Sequence, residues 1–378
     1  MNDGQEELDE LREAVREFLA AKSGESAVRA AMETEQRHDP AVWDQMARQL
    51  RLQGLALPGD YGGDGFGLTE LGVVLEEMGA ALLCSPFFAT VALAAQALLA
   101  SGDDAACTRY LPGIAAGRTT AALAAAEGNA SWDPAMVSAR AARTADSWRL
   151  TGKKNFVIDG AAADLVLVVA RSTAGPSLFA VDRGAPGLIA EPMTTLDPTR
   201  PMATLTFDQV PALLVGAEGQ GGRLMTRVLD LACVALAAEQ AGGARRCLEM
   251  SAGYARTRFQ FGRPIGSFQA VKHRCADMLV RVELAEAAAR EAARLADEDA
   301  ARPPGEAAPE SAVAAATAHV VCSQAYMFAA AENIQVHGGI GFTWEHPAHL
   351  YFRRAKSSEL LFGGPAVYHE RLLDRLGI

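Results

Sequence analysis

The sequence predicts an α+β multidomain protein: a helical N-terminal part, a middle part of short β-strands closing as a sandwich or barrel, and a helical C-terminal part. Three observations predict it. Apolar residues recur at three- and four-residue steps within residues 1–119. Short β-branched or apolar runs separated by Gly, Pro and Asp fill 120–216. The helical period then returns over 217–378.

The elements follow in order. Leu8, Leu11, Val15, Phe18 and Leu19 lie on one apolar helical face. PGDYGGDGFGLTELGVVLEEMG reads as a glycine-rich turn, Thr69 as N-cap, and a helix through Met78, with Asp64 a turn residue and Tyr61 a core one. SPFFATVALAAQALLASG (Ser85–Gly102) reads as a buried, alanine-rich helix ended by glycine. Strands are expected in TADSWRLTGKKNFVIDG, ADLVLVVAR, PSLFAVD and MATLTFDQV. From about Ala217 long helices resume, and ARPPGEAAPES (Ala301–Ser311) divides them into two helix pairs, with Pro and Gly as breakers.

Composition narrows the function. Half of the 378 residues are hydrophobic and 21% are charged, so the chain folds around a sizeable core. A net charge of −11, without a basic stripe interleaved with aromatics, argues against a nucleic-acid partner. No apolar run approaches the ~20 residues of a membrane span. The acidic, amphipathic start MNDGQEELDELREAV is neither a signal nor a transit peptide. The six cysteines have no CxxC spacing and no His/Cys/carboxylate cluster has metal-site spacing, so a metal-free cytoplasmic protein with reduced thiols is expected.

Three stretches resemble one family, the acyl-CoA dehydrogenases. YARTRFQFGRPIGSFQAVKHRCADM (Tyr254–Met278) is similar to the family's R-x-Q-F-G-x-P…F-Q signature. IQVHGGIGFTWEHPAHLYFRRAK (Ile334–Lys356) is similar to its Q-x-x-G-G-x-G segment, and YGGDGFGLTELGVVLEEMG to its N-terminal helices. Read physically, Arg258 is a guanidinium able to grip a diphosphate with paired hydrogen bonds, and Gly338 and Gly339 clear side chains from a close backbone approach. Taken singly, such an arginine reads as a solvated face and such a glycine pair as a turn. The order and spacing of all three stretches make the resemblance specific. It implies a helical N-terminal domain, a middle β domain and a C-terminal four-helix bundle. It also implies FAD as cofactor, an acyl-CoA substrate and an electron-transferring flavoprotein as acceptor. Arg258, Gln260, Phe261, Phe268, Gln335, Gly338 and Gly339 would then clamp the adenine and diphosphate end of a neighbouring subunit's FAD, with ordinary packing the alternative for Phe268. Phe156 would cover a flavin ring.

Against that family the chain departs at the catalytic base. The reaction removes the hydrogen at Cα as a proton and that at Cβ as a hydride, so a carboxylate must sit beside Cα. Where most members have I-Y-E-G-T, this chain has Leu361, Phe362, Gly363, Gly364 and Pro365. Gly363 thus occupies the usual glutamate place while keeping a backbone N–H for the thioester oxygen. The place used by a minority of members falls at Ala232, beside Cys233, with Asp230 the nearest carboxylate. The family's T-E-P-x-x-G-S-D loop is replaced by AAAEGNASWDP, where Ser131 is the remaining hydroxyl, and its W-I-T by Phe156, Val157 and Ile158. Glu359 is expected in a surface ion pair with a basic neighbour such as Arg354.

A retained clamp with an eroded base resembles subunits of heteromeric steroid-type acyl-CoA dehydrogenases, which share an active site with a catalytic paralogue. A homo-oligomeric FAD enzyme with other chemistry (oxidase or monooxygenase) and a non-catalytic structural subunit are the competing readings.

Overall fold

A computed structural model of the chain describes residues 3–128, 130–145, 147–300 and 308–378. Most of the Ala301–Ser311 breaker lies outside the described residues. The N-terminal part comprises α1 (Asp3–Lys22), α2 (Glu25–Glu33), α3 (Pro40–Gln49), α4 (Leu68–Ala80), α5 (Gln96–Ser101) and α6 (Asp104–Ala115). The apolar stretch before Gln96 is helical as expected, but Phe88–Ala95 is π-helical and runs straight into α5. Asp39 and Asp103 cap α3 and α6 by accepting from Ala41 N and Ala106 N.

The cap of α4 differs from expectation. Gly67, not Thr69, is the N-cap, with Glu70 reaching back to the Gly67 N–H. The Thr69 hydroxyl is drawn instead to Asp297, whose carboxylate also accepts from Leu68 N and Thr69 N. Asp64 does lie in the turn, paired with Arg51, and Tyr61 packs partly buried against the core.

The middle strands are β1 (Ala121–Ala124), β2 (Arg140–Arg143), β3 (Trp148–Ile158), β4 (Leu165–Ser172), β5 (Gly175–Asp182), β6 (Leu188–Pro192) and β7 (Met202–Val215). They close into a barrel in the cycle β4–β2–β3–β7–β5–β4; β1 joins β4 in parallel and β6 joins β7 antiparallel. Closure removes the open edges that invite pairing with another chain. Trp148, Leu150, Val168, Phe179, Leu205 and Phe207 fill its interior.

The C-terminal part holds α7 (Gly221–Thr257), a hairpin of β8 (Phe259–Gln260) and β9 (Arg263–Pro264), α8 (Gln269–Glu298), α9 (Pro309–His337), α10 (Ala348–Leu360) and α11 (Pro365–Leu376). The expected divisions at 119/120 and 216/217 fall in the α6–β1 and β7–α7 connections. The stretch Pro309–Phe342 is long and apolar enough to cross a membrane, which the sequence reading did not anticipate, but α9 packs against α7, α8, α10 and α11. It buries His319, Ser323 and Asn333 in that packing.

One apolar core runs through all three parts, from Val15 and Met46 through Leu167 to Leu236 and Phe362. Where α4 crosses α7, a Cβ on Gly79 would stand 2.0 Å from Glu239 O, and one on Gly242 1.7 Å from Glu76 O. The two helices touch backbone to backbone there. A buried network ties the barrel to the helices beside this crossing: Arg354 bonds Asp197 at 2.7 Å, Thr199 and Glu239, and Arg200 bonds Glu239 and Ser358. Arg354 is therefore no surface partner for Glu359, which pairs with Lys356 at 2.5 Å.

Candidate active site

A cavity of about 1170 Å³ lies between the barrel, α7 and the C-terminal helices. Its walls are the loop Ala130–Pro134, Phe156 at the end of β3, the segment Met193–Leu196 after β6, Thr226 and Leu229 of α7, and the turn Leu360–Gly364. Phe362 is 1% exposed; Trp132 meets its ring edge-on at 4.9 Å and Phe88 stacks at 6.4 Å. The turn is unusual in its backbone. Phe362 has φ 61° and Gly363 φ 110°, a region that side chains disfavour. A Cβ at Gly363 would lie 3.3 Å from Val367 Cγ1 and 3.6 Å from Tyr368 Cε2. The backbone here is built around the absence of a side chain.

The turn is held from behind. His319 Nε2 lies 3.0 Å from the Gly363 carbonyl, so the proton is assigned to Nε2 as donor, and Nδ1 is buried without a partner among the described residues. Burial pushes the His319 imidazole down to about 4, which keeps it neutral. Its ring packs 4.2 Å from Tyr368, whose hydroxyl accepts from the Cys233 thiol at 2.9 Å. Burial pushes Cys233 up to about 12, so it is no base.

Ala232 is fully buried in the core. Asp230 is 2% exposed, does not line the cavity, and accepts from Arg375 at 2.7 Å. Burial raises its carboxyl while Arg375 opposes the rise. Among the described residues, the carboxylates lining the cavity are Asp133 and Asp374, both exposed, and Asp133 is engaged with Ala135 N. Ser131 and Phe156 line the cavity, whereas Ile158 is buried in the core instead. Sequence reasoning missed Trp132, the hydroxyls of Thr194 and Thr195, and the cationic rim of Lys356, Arg371 and Arg375. Trp132 and Lys356 stood inside quoted motifs; the rim on α11 carried no motif at all.

A second candidate surface stands at the far end of α7. Arg258 is the C-cap of that helix and leads into the hairpin, where Phe261 is 90% exposed at φ 54°. Phe261 meets Phe268 edge-on at 6.1 Å, and Arg263 covers the Phe268 ring at 4.1 Å. The Gly338–Gly339 turn is brought alongside by the contact of Tyr254 with His337 at 4.4 Å. Gln260 and Gln335 are exposed, and Cβ atoms on Gly338 and Gly339 would meet nothing within 4 Å. Among the described residues the Arg258 guanidinium has no hydrogen-bond or ion-pair partner. Open glycine backbone beside an unpaired arginine fits the diphosphate end of a dinucleotide.

A helical domain, a closed barrel and a helical bundle around one cavity define the acyl-CoA dehydrogenase fold, and the chain belongs to the acyl-CoA dehydrogenase family. The family's N-terminal domain matches residues 5–118, its middle domain 122–210 and its C-terminal domain 219–377. The chain is 36% identical over 367 residues to acyl-CoA dehydrogenase IpdE2 of Mycobacterium tuberculosis, covering 97% of this chain and 96% of that protein. Among solved structures, the Mycobacterium tuberculosis ChsE4-ChsE5 complex superposes with a TM-score of 0.88 at 30% identity, over 98% and 97% of the two chains. A variant of the Tcur3481-Tcur3483 steroid ACAD gives 0.87 at 33%, over 99% and 98%.

Proposed function

We propose that this chain is one subunit of a heteromeric, steroid-type acyl-CoA dehydrogenase, dehydrogenating an acyl-CoA thioester between Cα and Cβ together with a catalytic paralogue. When bound, FAD supplies the hydride acceptor. Arg258 grips the diphosphate of the FAD seated in the paralogue, and Gly338 and Gly339 let its backbone approach; Gln260, Phe261, Phe268 and Gln335 complete the clamp. The paralogue supplies the proton acceptor that Gly363 and Ala232 lack, and an electron-transferring flavoprotein takes the electrons. The chain's own cavity, with Phe156, Trp132 and Phe362 around it, holds bulky apolar matter without a poised base. The cysteines, all free among the described residues, accord with a cytoplasmic site of action.

The observation that carries this reading is the combination of an open clamp around Arg258, unpaired among the described residues, with a Gly363 backbone at φ 110° that disfavours a side chain. The test is the visible spectrum of the chain purified alone and with its paralogue. One flavin for every two chains in the complex, little flavin alone, and loss of that flavin in Arg258→Ala support the reading. Full flavin in the chain alone would favour a homo-oligomeric flavoenzyme, for which the cavity of about 1170 Å³ beside Phe156 has room. No flavin in either preparation would leave a structural subunit.

A further inference from the structure

Helix α11 runs along one side of the large cavity. Val367, Arg371, Asp374 and Arg375, at steps of four, three and one, line it from a single helical face. Most of the charge in this wall is already answered. Arg375 bonds Asp230 at 2.7 Å and the Ala312 carbonyl, Lys356 on α10 pairs with Glu359, and Asp133 accepts from Ala135 N. Arg371 differs. Among the described residues its guanidinium has no hydrogen-bond or ion-pair partner, and Asp374, one turn further along the same helix, does not pair with it.

The guanidinium is nonetheless placed. It lies over the Tyr368 ring, 4.8 Å from the centroid. Tyr368 is fully buried, with its ring against His319 and its hydroxyl accepting from Cys233. A helical side chain that rests on the residue three places earlier runs back toward the N-terminus of its helix. For α11 that direction is the Gly363–Gly364 turn. A ring anchored in the core therefore sets the position of Arg371, while its donors stay unused in the cavity wall. A guanidinium fork held this way matches two oxygens of one anion, a carboxylate or a phosphate. Leu229, Trp132 and Phe362 around it suit the apolar body of the same ligand.

We propose that Arg371 is a ligand-binding residue of the Gly363 cavity, receiving an anionic oxygen pair on the molecule seated there. The inference rests on the acyl-CoA chemistry proposed above. Such a ligand offers two sources of the anion: a free carboxylate on the acyl group, or the phosphates of CoA. The probes are hexanoyl-CoA and adipoyl-CoA, whose acyl groups match in length and differ by a terminal carboxylate. Each is titrated calorimetrically into the full chain, into Arg371→Gln and into Arg371→Lys. Arg371→Gln should weaken the anion-dependent binding about tenfold or more, the worth of hydrogen bonds to a charged group. Loss confined to adipoyl-CoA assigns the acyl carboxylate, and equal loss on both esters assigns the CoA phosphates. Arg371→Lys keeps the charge without the fork and should lose part of the affinity; parental affinity there would overturn the paired-oxygen contact. Equal affinity of the parent and Arg371→Gln for both esters, or no binding of either ester by the parent, would overturn the assignment. Flavin content is read separately, so a failure at Arg371 leaves the shared-flavin reading standing, and a failure of flavin sharing leaves Arg371 standing.

Discussion

Replacing Glu127 by Gln should unfasten the wall of the main cavity. Glu127 is where the loop carrying Ser131 and Trp132 leaves the barrel. Its carboxylate receives Ser138 N at 3.0 Å, Ala139 N at 3.0 Å, the Ser138 hydroxyl, and Lys154 Nζ at 2.8 Å. It thereby pins both ends of the loop to β3. Burial alone would raise the carboxyl, but these donors, Lys154 first among them, outweigh it and hold the group at about 2, against an ordinary value of 4.5. At 1.36 kcal/mol per pKa unit, that difference is worth up to about 3.4 kcal/mol, a ceiling that partial solvent access lowers. Lys154, with a side chain 0% exposed, is itself pulled down by burial despite Glu127, which lowers the pair's net worth further. Removing only the carboxylate charge strands the buried ammonium on Ala125 O, and such a loss costs about 3–5 kcal/mol. The sign with pH follows: Glu127 contributes its full stability above pH 4.5 and loses it as pH falls toward 2. Urea unfolding at pH 7 and melting from pH 7 to pH 2, read by circular dichroism, measure both effects. A Glu127→Gln variant within about 1 kcal/mol of the parent, or an acid limb unchanged by the substitution, would refute this account of the loop.

Three further outcomes are expected. Gly363→Ala should cost about 2 kcal/mol, from left-handed backbone strain and the 3.3 Å contact with Val367, and Gly363→Glu should not restore dehydrogenation in the chain alone; urea unfolding and a dye-coupled assay read these. His319 takes up a proton at about 4 when folded and near 6.5 when unfolded, so it costs stability as pH falls from 6.5 to 4; His319→Gln should flatten that part of the melting profile. Glu239→Gln should destabilise by about 3–5 kcal/mol, since Arg200 and Arg354 would both keep buried charges with less compensation, and a urea midpoint equal to the parent's would contradict it.

How far the sequence disclosed all this depended on where the information resides. The long helices announced themselves by period, and β3, β4, β5 and β7 by β-branched runs. β1, Ala-Ala-Leu-Ala, is buried on both faces and alanine-rich, so neither alternation nor propensity marked it. β2 and β6 are short and largely exposed, and β6 ends in proline. Thr69 was a reasonable cap by local rules; Asp297, more than two hundred residues away, redirected its hydroxyl. Arg354 looked superficial because its partners Asp197 and Glu239 come from the barrel and α7. The turns after Arg258 and at Gly338–Gly339 were legible because they are local motifs. The cavity was not, since at least five separate stretches of the chain meet to form it.

The crossing of α4 and α7 has a mechanical consequence. With Gly79 against Glu239 and Gly242 against Glu76, main chain bears on main chain, and no side chain cushions any sliding between the helices. The N- and C-terminal helical segments are therefore not two bodies free to rock against each other, and a fragment ending near residue 119 would expose the groove in which α7 lies. The loops at Trp132 and Thr194 and the turn Leu360–Gly364 are parts of the cavity wall that lie outside that crossing. The α4–α7 pair is thus the fixed jaw of the frame around the cavity.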